Sequence, residues 1–182
     1  MPVEDFRVRT ARTEDVPEIA VLMQRAVKGL STGYYNAQET QNAASYLTIP
    51  DPGIIQDQTY YVVVTSSQIV ACGGWSSRRK LFTGASDQEV LSDERLDMAT
   101  EAARIRAFFV DPNFARRGLA RRLYQCCEEA ARKAGYRAFE LMATLPGVSL
   151  YEHLEFTEVD RVDVELPNGS KLPCVQMRRN LV

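Results

Sequence analysis

The chain has 182 residues, of which 45% are hydrophobic and 25% charged, and its formal net charge is −2 with a pI near 5.6. These are ordinary values for a folded globular protein and exclude an intrinsically disordered chain. The slight acidic excess argues against a general nucleic-acid binder, and no apolar run approaches the roughly 18 residues that a membrane-spanning helix needs. We therefore predict no nucleic-acid and no membrane partner.

The amino-terminal sequence has no apolar stretch of the signal-peptide kind, so a cytoplasmic location is expected. The four cysteines, Cys72, Cys126, Cys127 and Cys174, show neither a C-x-x-C pair nor a histidine at ligand spacing. They are predicted to be reduced, small buried side chains rather than disulfides or zinc ligands. With His153 as the only histidine, no metal site is expected, and a mechanism that requires two imidazoles is excluded.

The first 55 residues predict one strand followed by two helices. "FRVRT" alternates apolar and polar side chains, as a strand does. Apolar residues then recur at helical spacing over 16–27, after Thr13 as a capping residue. Asn36 and Glu39 form a capping box that predicts a second, short helix through about residue 47, and "IPDPG" predicts the turn that ends it.

The middle of the chain predicts three more strands. "TYYVVVTSSQIVACGGW" contains two β-rich runs joined by a tight polar connection, which is typical of an antiparallel hairpin. The segment from Arg78 to Glu101 has mixed charge and little periodicity, and such a long connection indicates function, disorder or a short helix. "RIRAFFV" predicts the fourth strand, and "DPN" predicts the turn after it.

The last third predicts a long helix, a strand, a short helix and a hairpin. The long helix begins at about Gly118 and ends at Gly135. "YRAFELMA" is the fifth strand, "GVSLYEHLEF" a short helix, and "VDVEL" and "LPCVQMRR" a hairpin around "PNGS". The element order predicts one domain over 1–182 of mixed α/β (α+β) class, with a mixed sheet of about seven strands flanked by about four helices.

The stretch "VDPNFARRGLARRLY" combines a strand end, a turn with glycine and arginines, and a helix start. Backbone N–H groups without intrahelical partners and the positive end of the helix dipole lie at such a position, which suits a phosphate group. Glycine lets a ligand approach the backbone, and arginines add charge-assisted hydrogen bonds. The residues by themselves leave open an exposed arginine-rich turn without a ligand, since neither G-x-G-x-x-G nor G-K-[ST] is present.

Two segments resemble the GNAT superfamily of acyl-CoA-dependent N-acetyltransferases. "IRAFFVDPNFARRGLARRLY" is similar to the family's V-x-P followed by [QR]-x-x-G-x-[GA], with Ala115 at the position of the glutamine or arginine. "LYEHLEF" is similar to its F-Y-x-x-L-G-F, with Glu155 in place of glycine and Thr144 at the position of a frequent asparagine. The predicted element order also matches the family over nearly the whole chain.

The resemblance implies a GNAT-like splayed sheet in which acetyl-CoA is the co-substrate. The pantetheine arm would lie where the strand of "RIRAFFV" diverges from that of "AFELMA", and the pyrophosphate would bind backbone N–H groups at the helix start. The implied cofactor-binding residues are Phe108, Phe109, Val110, Ala115, Arg116, Arg117, Gly118, Leu119, Ala120 and Arg121.

The resemblance also assigns a catalytic acid but no base. Tyr151 matches the family tyrosine that protonates the departing CoA thiolate; a purely packing role is the alternative. The position of the glutamate that some members use as a general base is Arg104 here. Glu101 and Glu140 lie nearby in the sequence, and the base stays unassigned, with a water chain or a carboxylate of the substrate as sufficient replacements.

Three aromatic residues resemble the segments that line the family's acceptor site. These are Tyr34, Tyr35 and Trp75, whose ring faces can hold a cationic amine; core packing is the alternative for each. His153 is expected at the surface or behind the residues that touch the substrate, rather than as the base, because it lies off the helical face of Tyr151.

We therefore predict an acetyl-CoA-dependent N-acetyltransferase that acts on a primary amine, most simply that of a small molecule, in a direct ternary-complex transfer. Two alternatives are kept: a protein lysine or N-terminal acetyltransferase, and a non-catalytic CoA-binding sensor. An open groove with acidic walls would favour the protein substrate, and a closed pocket the small molecule. The resemblance also allows a homodimer, with the C-terminal hairpin at the interface.

Overall fold

The computed structural model describes residues 5–181, so the predicted domain limits at 1 and 182 lie just outside the described residues. Within that range the chain forms seven strands and six α-helices. The strands are β1 (Arg7–Thr10), β2 (Tyr60–Val64), β3 (Ile69–Ser76), β4 (Ala103–Val110), β5 (Ala138–Thr144), β6 (Thr157–Glu165) and β7 (Lys171–Asn180). The helices are α1 (Val16–Leu30), α2 (Ala37–Tyr46), α3 (Pro52–Gln56), α4 (Ser86–Glu89), α5 (Leu119–Lys133) and α6 (Val148–His153).

All seven strands belong to one mixed sheet with the order β1-β2-β3-β4-β5-β7-β6. Every neighbouring pair is antiparallel except β4 and β5, which run parallel. A parallel pair needs a crossover connection, and α5 supplies it. The predicted mixed α/β class and seven-stranded sheet are therefore confirmed.

Two short helices add to the four that the sequence predicts. The "IPDPG" segment holds α3 rather than a simple turn, because Asp51 accepts a hydrogen bond from the Gly53 N–H (2.8 Å) and Pro52 occupies the first helical position. The other, α4, lies in the long Arg78–Glu101 connection. That connection is therefore ordered and includes a short helix, one of the three outcomes its length indicated.

Helix α5 packs one face onto the sheet and fixes the direction of β4 and β5. Its buried residues recur at helical spacing and are Leu119, Ala120, Leu123, Tyr124, Cys127 and Ala131. Burying such a leucine contributes roughly 1.5–3 kcal/mol. The cysteines are free thiols; Cys72, Cys127 and Cys174 are buried, as predicted, whereas Cys126 is half-buried.

Glu155 follows α6 in the left-handed conformation, with φ = +66°. This is the C′ position, where a helix commonly ends on glycine, and the Phe156 N–H donates to the Tyr151 carbonyl (2.9 Å) as in a Schellman motif. The Glu155 carboxylate also forms an exposed ion pair with Arg179 (2.9 Å). The side chain therefore occupies backbone space that favours glycine.

We expect Glu155→Gly to be more stable than Glu155→Ala by about 1 kcal/mol in the free energy of unfolding, because alanine keeps the strained φ and glycine does not. Both variants lose the ion pair with Arg179, so that contribution cancels. Denaturant unfolding of the two variants measures the difference. Equal stabilities would contradict the assigned backbone strain.

Candidate active site

Strands β4 and β5 separate soon after they begin. They pair only at Ala103 with Phe139 and at Arg104 with Glu140, and beyond these pairs they diverge. Two adjacent cavities open along the divergence and share four lining residues, Leu47, Phe108, Phe109 and Thr144. The parallel pair is thus open towards the carboxyl end of β4, where a ligand can enter between the strands.

The first cavity, which we call the α1 cavity, has a volume of about 140 Å³. Besides the shared residues, its lining includes Val110, Ala120, Tyr35 and, from α1, Ala26, Val27 and Leu30. The second, the Tyr151 cavity, has a volume of about 90 Å³. Besides the shared residues, it is lined by Leu81, Phe82, Thr83, Ile105, Arg106, Ala107, Met142, Ala143 and Tyr151.

A β-bulge in β4 bends the strand at this point. Its pairing with β3 shifts register between Cys72 and Gly74, and Ala107 has φ = +52°. The Tyr60 hydroxyl donates to the Ala107 carbonyl (2.8 Å) and holds the bulge. A Cβ added at Gly73 would lie 2.1 Å from the Phe108 ring, so this glycine makes room for Phe108. The sequence pattern of this strand does not indicate the bulge.

The turn before α5 presents backbone N–H groups to solvent. Gly118 is the N-cap with φ = +76°, Arg116 has φ = +61°, and the Arg122 N–H donates to the Gly118 carbonyl (3.1 Å). The N–H groups before Arg122 belong to the first turn, which has no intrahelical acceptors. A Cβ at Gly118 would meet no heavy atom of the described residues within 4 Å, so the space beside it is open to a ligand.

The arginines at this turn are exposed and held in different ways. The Arg117 guanidinium lies over the Phe114 ring at 5.0 Å and donates to the Asn113 carbonyl (3.4 Å). Arg122 donates to the Phe6 carbonyl (3.3 Å), and Arg116 and Arg121 are exposed around the helix start. Together they make the entrance of α5 strongly positive.

Helix α1 fixes the position of this turn through Asp111, a residue that the sequence analysis treated only as part of a turn signal. The Asp111 carboxylate is buried, accepts from the Asn113 N–H (2.9 Å), and pairs with Arg25 of α1 (2.5 Å). Gly29 approaches Pro112 so closely that a Cβ would lie 2.4 Å from the proline ring. Helix α1, which lines the α1 cavity, is therefore held in contact with the turn that precedes α5.

Tyr151 lies on α6 and borders the cavity named after it. Its ring is 6.3 Å from that of Phe108 and 5.7 Å from that of Phe156. Burial raises the pKa of the Tyr151 phenol well above its ordinary value. The hydroxyl is protonated at neutral pH and can donate a hydrogen bond. The ring packs near Phe108, which belongs to the diverging strand β4.

The three aromatic residues predicted for the acceptor site do not come together. Tyr35 lines the α1 cavity, but its hydroxyl donates to the Pro173 carbonyl (2.7 Å) and accepts from the Leu145 N–H (3.0 Å), which fixes it in the structure. Tyr34 is exposed. Trp75 is buried in the core at 5.9 Å from the Tyr136 ring, because it pairs with Ile105 on a sheet face that α5 covers. Neither Tyr34 nor Trp75 lines either cavity.

The acidic residues considered as a base are engaged in ion pairs. One oxygen of Glu140 accepts from Arg104 (2.8 Å) and the other from Arg178 (2.6 Å). Glu101 pairs with Arg79. His153 is exposed, as predicted, and its Nδ1 lies 2.6 Å from a backbone carbonyl of its own helix. None of these side chains borders the Tyr151 cavity.

The chain is similar to known proteins in sequence pattern and in fold. A sequence model described as acetyltransferase (GNAT) family matches residues 25–156, more than half of the chain. No curated protein matches the chain in sequence. Of the residues described, no helix has the length and apolar character needed to cross a membrane.

Solved structures share the fold. A GCN5-related N-acetyltransferase from Rhodopseudomonas palustris superposes with a TM-score of 0.73 at 15% identity, covering 100% of this chain and 99% of that one. The PaiA N-acetyltransferase from Thermoplasma acidophilum, solved with coenzyme A, gives 0.66 at 13% identity, with 97% and 99% covered. The ribosomal-protein-S18-alanine N-acetyltransferase from Escherichia coli gives 0.57 at 16%, with 97% and 94% covered. At these identities the likeness is one of fold.

Proposed function

The chain belongs to the acetyltransferase (GNAT) family, whose members are acyltransferases that use acetyl-CoA, and from this premise we propose that it acetylates a primary amine of a small molecule. Both substrates are bound together, and the acetyl group passes directly between them. The observation that carries the proposal is the Tyr151 cavity, whose volume of about 90 Å³ suits a small acceptor better than a polypeptide segment.

The residues at the diverging strands fit acetyl-CoA. The open space at Gly118, the first-turn N–H groups of α5 and the arginines from Arg116 to Arg122 would hold the phosphates. Strand β4 from Phe108 to Val110 lines the α1 cavity, which would take the pantetheine arm. When bound, the thioester supplies an activated acetyl group.

The protein's own contribution to the chemistry is positioning and proton handling. The Tyr151 phenol is protonated at neutral pH, as an ordinary tyrosine is, and burial raises its pKa further. It donates its hydrogen towards the position where the leaving sulfur develops charge. The candidate carboxylates Glu140 and Glu101 are held by arginines, so we assign no general base. The proton of the amine leaves to water or to a carboxylate of the substrate itself.

The proposal is tested in two steps. Coenzyme A at about 100 times its Kd should raise the melting temperature by about 5–10 °C. Thiol release from acetyl-CoA is then followed with a panel of small amines, amino acids and short peptides with free N-termini. Binding without turnover on any amine would identify a CoA-binding sensor, and turnover on peptides alone would identify a protein acetyltransferase; either result overturns the proposal.

A further inference from the structure

A buried group of charges lies against the Tyr151 cavity. Arg106 of β4 is 1% exposed and Lys80 is 4% exposed. The Arg106 guanidinium donates to Asp51 (2.8 Å), the Thr83 hydroxyl (3.0 Å) and the Lys80 carbonyl (3.3 Å). The Lys80 ammonium pairs with Asp51 (3.2 Å) and Glu89 (2.8 Å). These contacts connect β4 with Asp51, which precedes α3, and with Lys80 and Thr83, which precede α4.

The buried part of this group carries an excess of positive charge. One oxygen of the Asp51 carboxylate, Oδ2, faces both Arg106 and Lys80. The second carboxylate, Glu89, has a side chain that is 51% exposed, so water screens much of its charge. Inside the protein, these two buried cations therefore share one carboxylate, that of Asp51, whose side chain is 9% exposed.

Arg106 is also the only charged residue among the described residues that line the Tyr151 cavity. A guanidinium has five N–H donors. Arg106 makes three hydrogen bonds within the described residues, two from Nη2 and one from Nη1, so its Nε–H and one Nη1–H make no hydrogen bond within that part of the chain. The rest of the lining is mainly apolar, with Leu81, Phe82 and Met142 as its larger aliphatic and aromatic members.

We propose that the acceptor is an amino acid with an apolar side chain, whose carboxylate is recognised by Arg106. This inference rests on the proposed function. A carboxylate is the partner that a guanidinium binds best, and it would balance the buried positive excess. An acceptor with a second cationic group meets a cation in the cavity and no carboxylate among the described residues that line it, which opposes its binding.

The reaction on such an acceptor balances in the ordinary way. The neutral amine nitrogen forms a bond to the acetyl carbon, and the bond from that carbon to sulfur breaks. The nitrogen loses one proton, and the sulfur leaves with the bonding pair and takes up one proton. Arg106 does not enter these steps; it sets the position of the acceptor and its selectivity.

The wild-type enzyme tests the inference with leucine and 3-methylbutylamine, which differ only in the carboxylate. We expect kcat/KM, corrected for the neutral fraction of each amine, to be at least about tenfold higher for leucine, as a charge-assisted hydrogen bond predicts. Putrescine, a diamine, should be the poorest of the three. Equal or better use of 3-methylbutylamine or putrescine overturns the inference while leaving the proposed function standing; no turnover on any amine removes both.

Variants separate recognition from a structural role. Arg106→Met should lower kcat/KM for leucine by about tenfold or more and change that for 3-methylbutylamine by less than about threefold, whereas Arg106→Lys should recover part of the selectivity. Arg178→Met, which removes an arginine paired with Glu140 outside the cavity, should leave the ratio unchanged. Equal loss on both acceptors in Arg106→Met would show a structural role and contradict the inference. If Arg106→Met does not fold, the wild-type ratio and Arg106→Lys still decide.

Discussion

Replacing Gly118 by aspartate is expected to weaken acetyl-CoA binding by at least about a hundredfold, the effect of a few kcal/mol of lost contacts and added repulsion. Gly118 caps α5 with φ = +76° beside open space. The new carboxylate would occupy that space and place a negative charge where phosphates are proposed to bind. Isothermal titration with acetyl-CoA or CoA measures the change in Kd.

Gly169 provides the matched control. It has φ = +80°, lies in the turn between β6 and β7, and a Cβ there would also meet no described heavy atom within 4 Å. Gly169→Asp should therefore carry about the same backbone cost, roughly 1 kcal/mol, since aspartate tolerates the left-handed region better than most residues. Its CoA affinity should equal that of the wild type. If both variants lost affinity equally, the phosphate site at α5 would have to be abandoned.

Tyr151→Phe should lower kcat by about 10²-fold, within the usual range for general acid catalysis, while the Kd for acetyl-CoA stays within about twofold. The phenylalanine ring keeps the contacts with Phe108 and Phe156, so only the hydroxyl is lost. In the wild type, burial raises the pKa of this phenol. The rate should rise with pH because the amine loses its proton. Because the pKa of Tyr151 is raised, loss of the phenol proton should not lower the rate below about pH 10.

Tyr124→Phe is the control for this change. Tyr124 is buried in the same cluster, 5.8 Å from the Phe156 ring, and its hydroxyl accepts from Arg179 (2.7 Å). It lines neither cavity, so kcat should change by less than about twofold. Unaltered turnover in Tyr151→Phe would remove the acid role and leave Tyr151 as a packing residue.

Local sequence patterns predicted the helices and strands of the protein and the family to which it belongs. Alternating or β-rich runs predicted all seven strands, and apolar residues at helical spacing predicted the long helices. Gly118 and Gly135 marked the ends of α5 because both ends need φ above zero, which glycine adopts without strain. The stretch from "VDPNF" to "GLA" indicated an anion site for a local reason as well, since a helix start carries its own unpaired N–H groups.

Contacts between segments that are distant in the sequence determine the positions of Trp75, the β4 bulge and Arg106. The register of β3 placed Trp75 under α5 and away from the cavities, and the bulge at Ala107 depends on Tyr60 and Gly73 of other strands. The sequence pattern of "RIRAFFV" does not distinguish Arg106 from an exposed polar residue of a strand. Only folding brings it to Asp51 and Thr83 and places it in the lining of the Tyr151 cavity. The sequence by itself thus determined the fold and predicted a phosphate site at the start of α5. The tertiary structure decided which charged residue lines the Tyr151 cavity, because Arg106 and the residues that bind it come from segments whose sequences do not indicate that they meet.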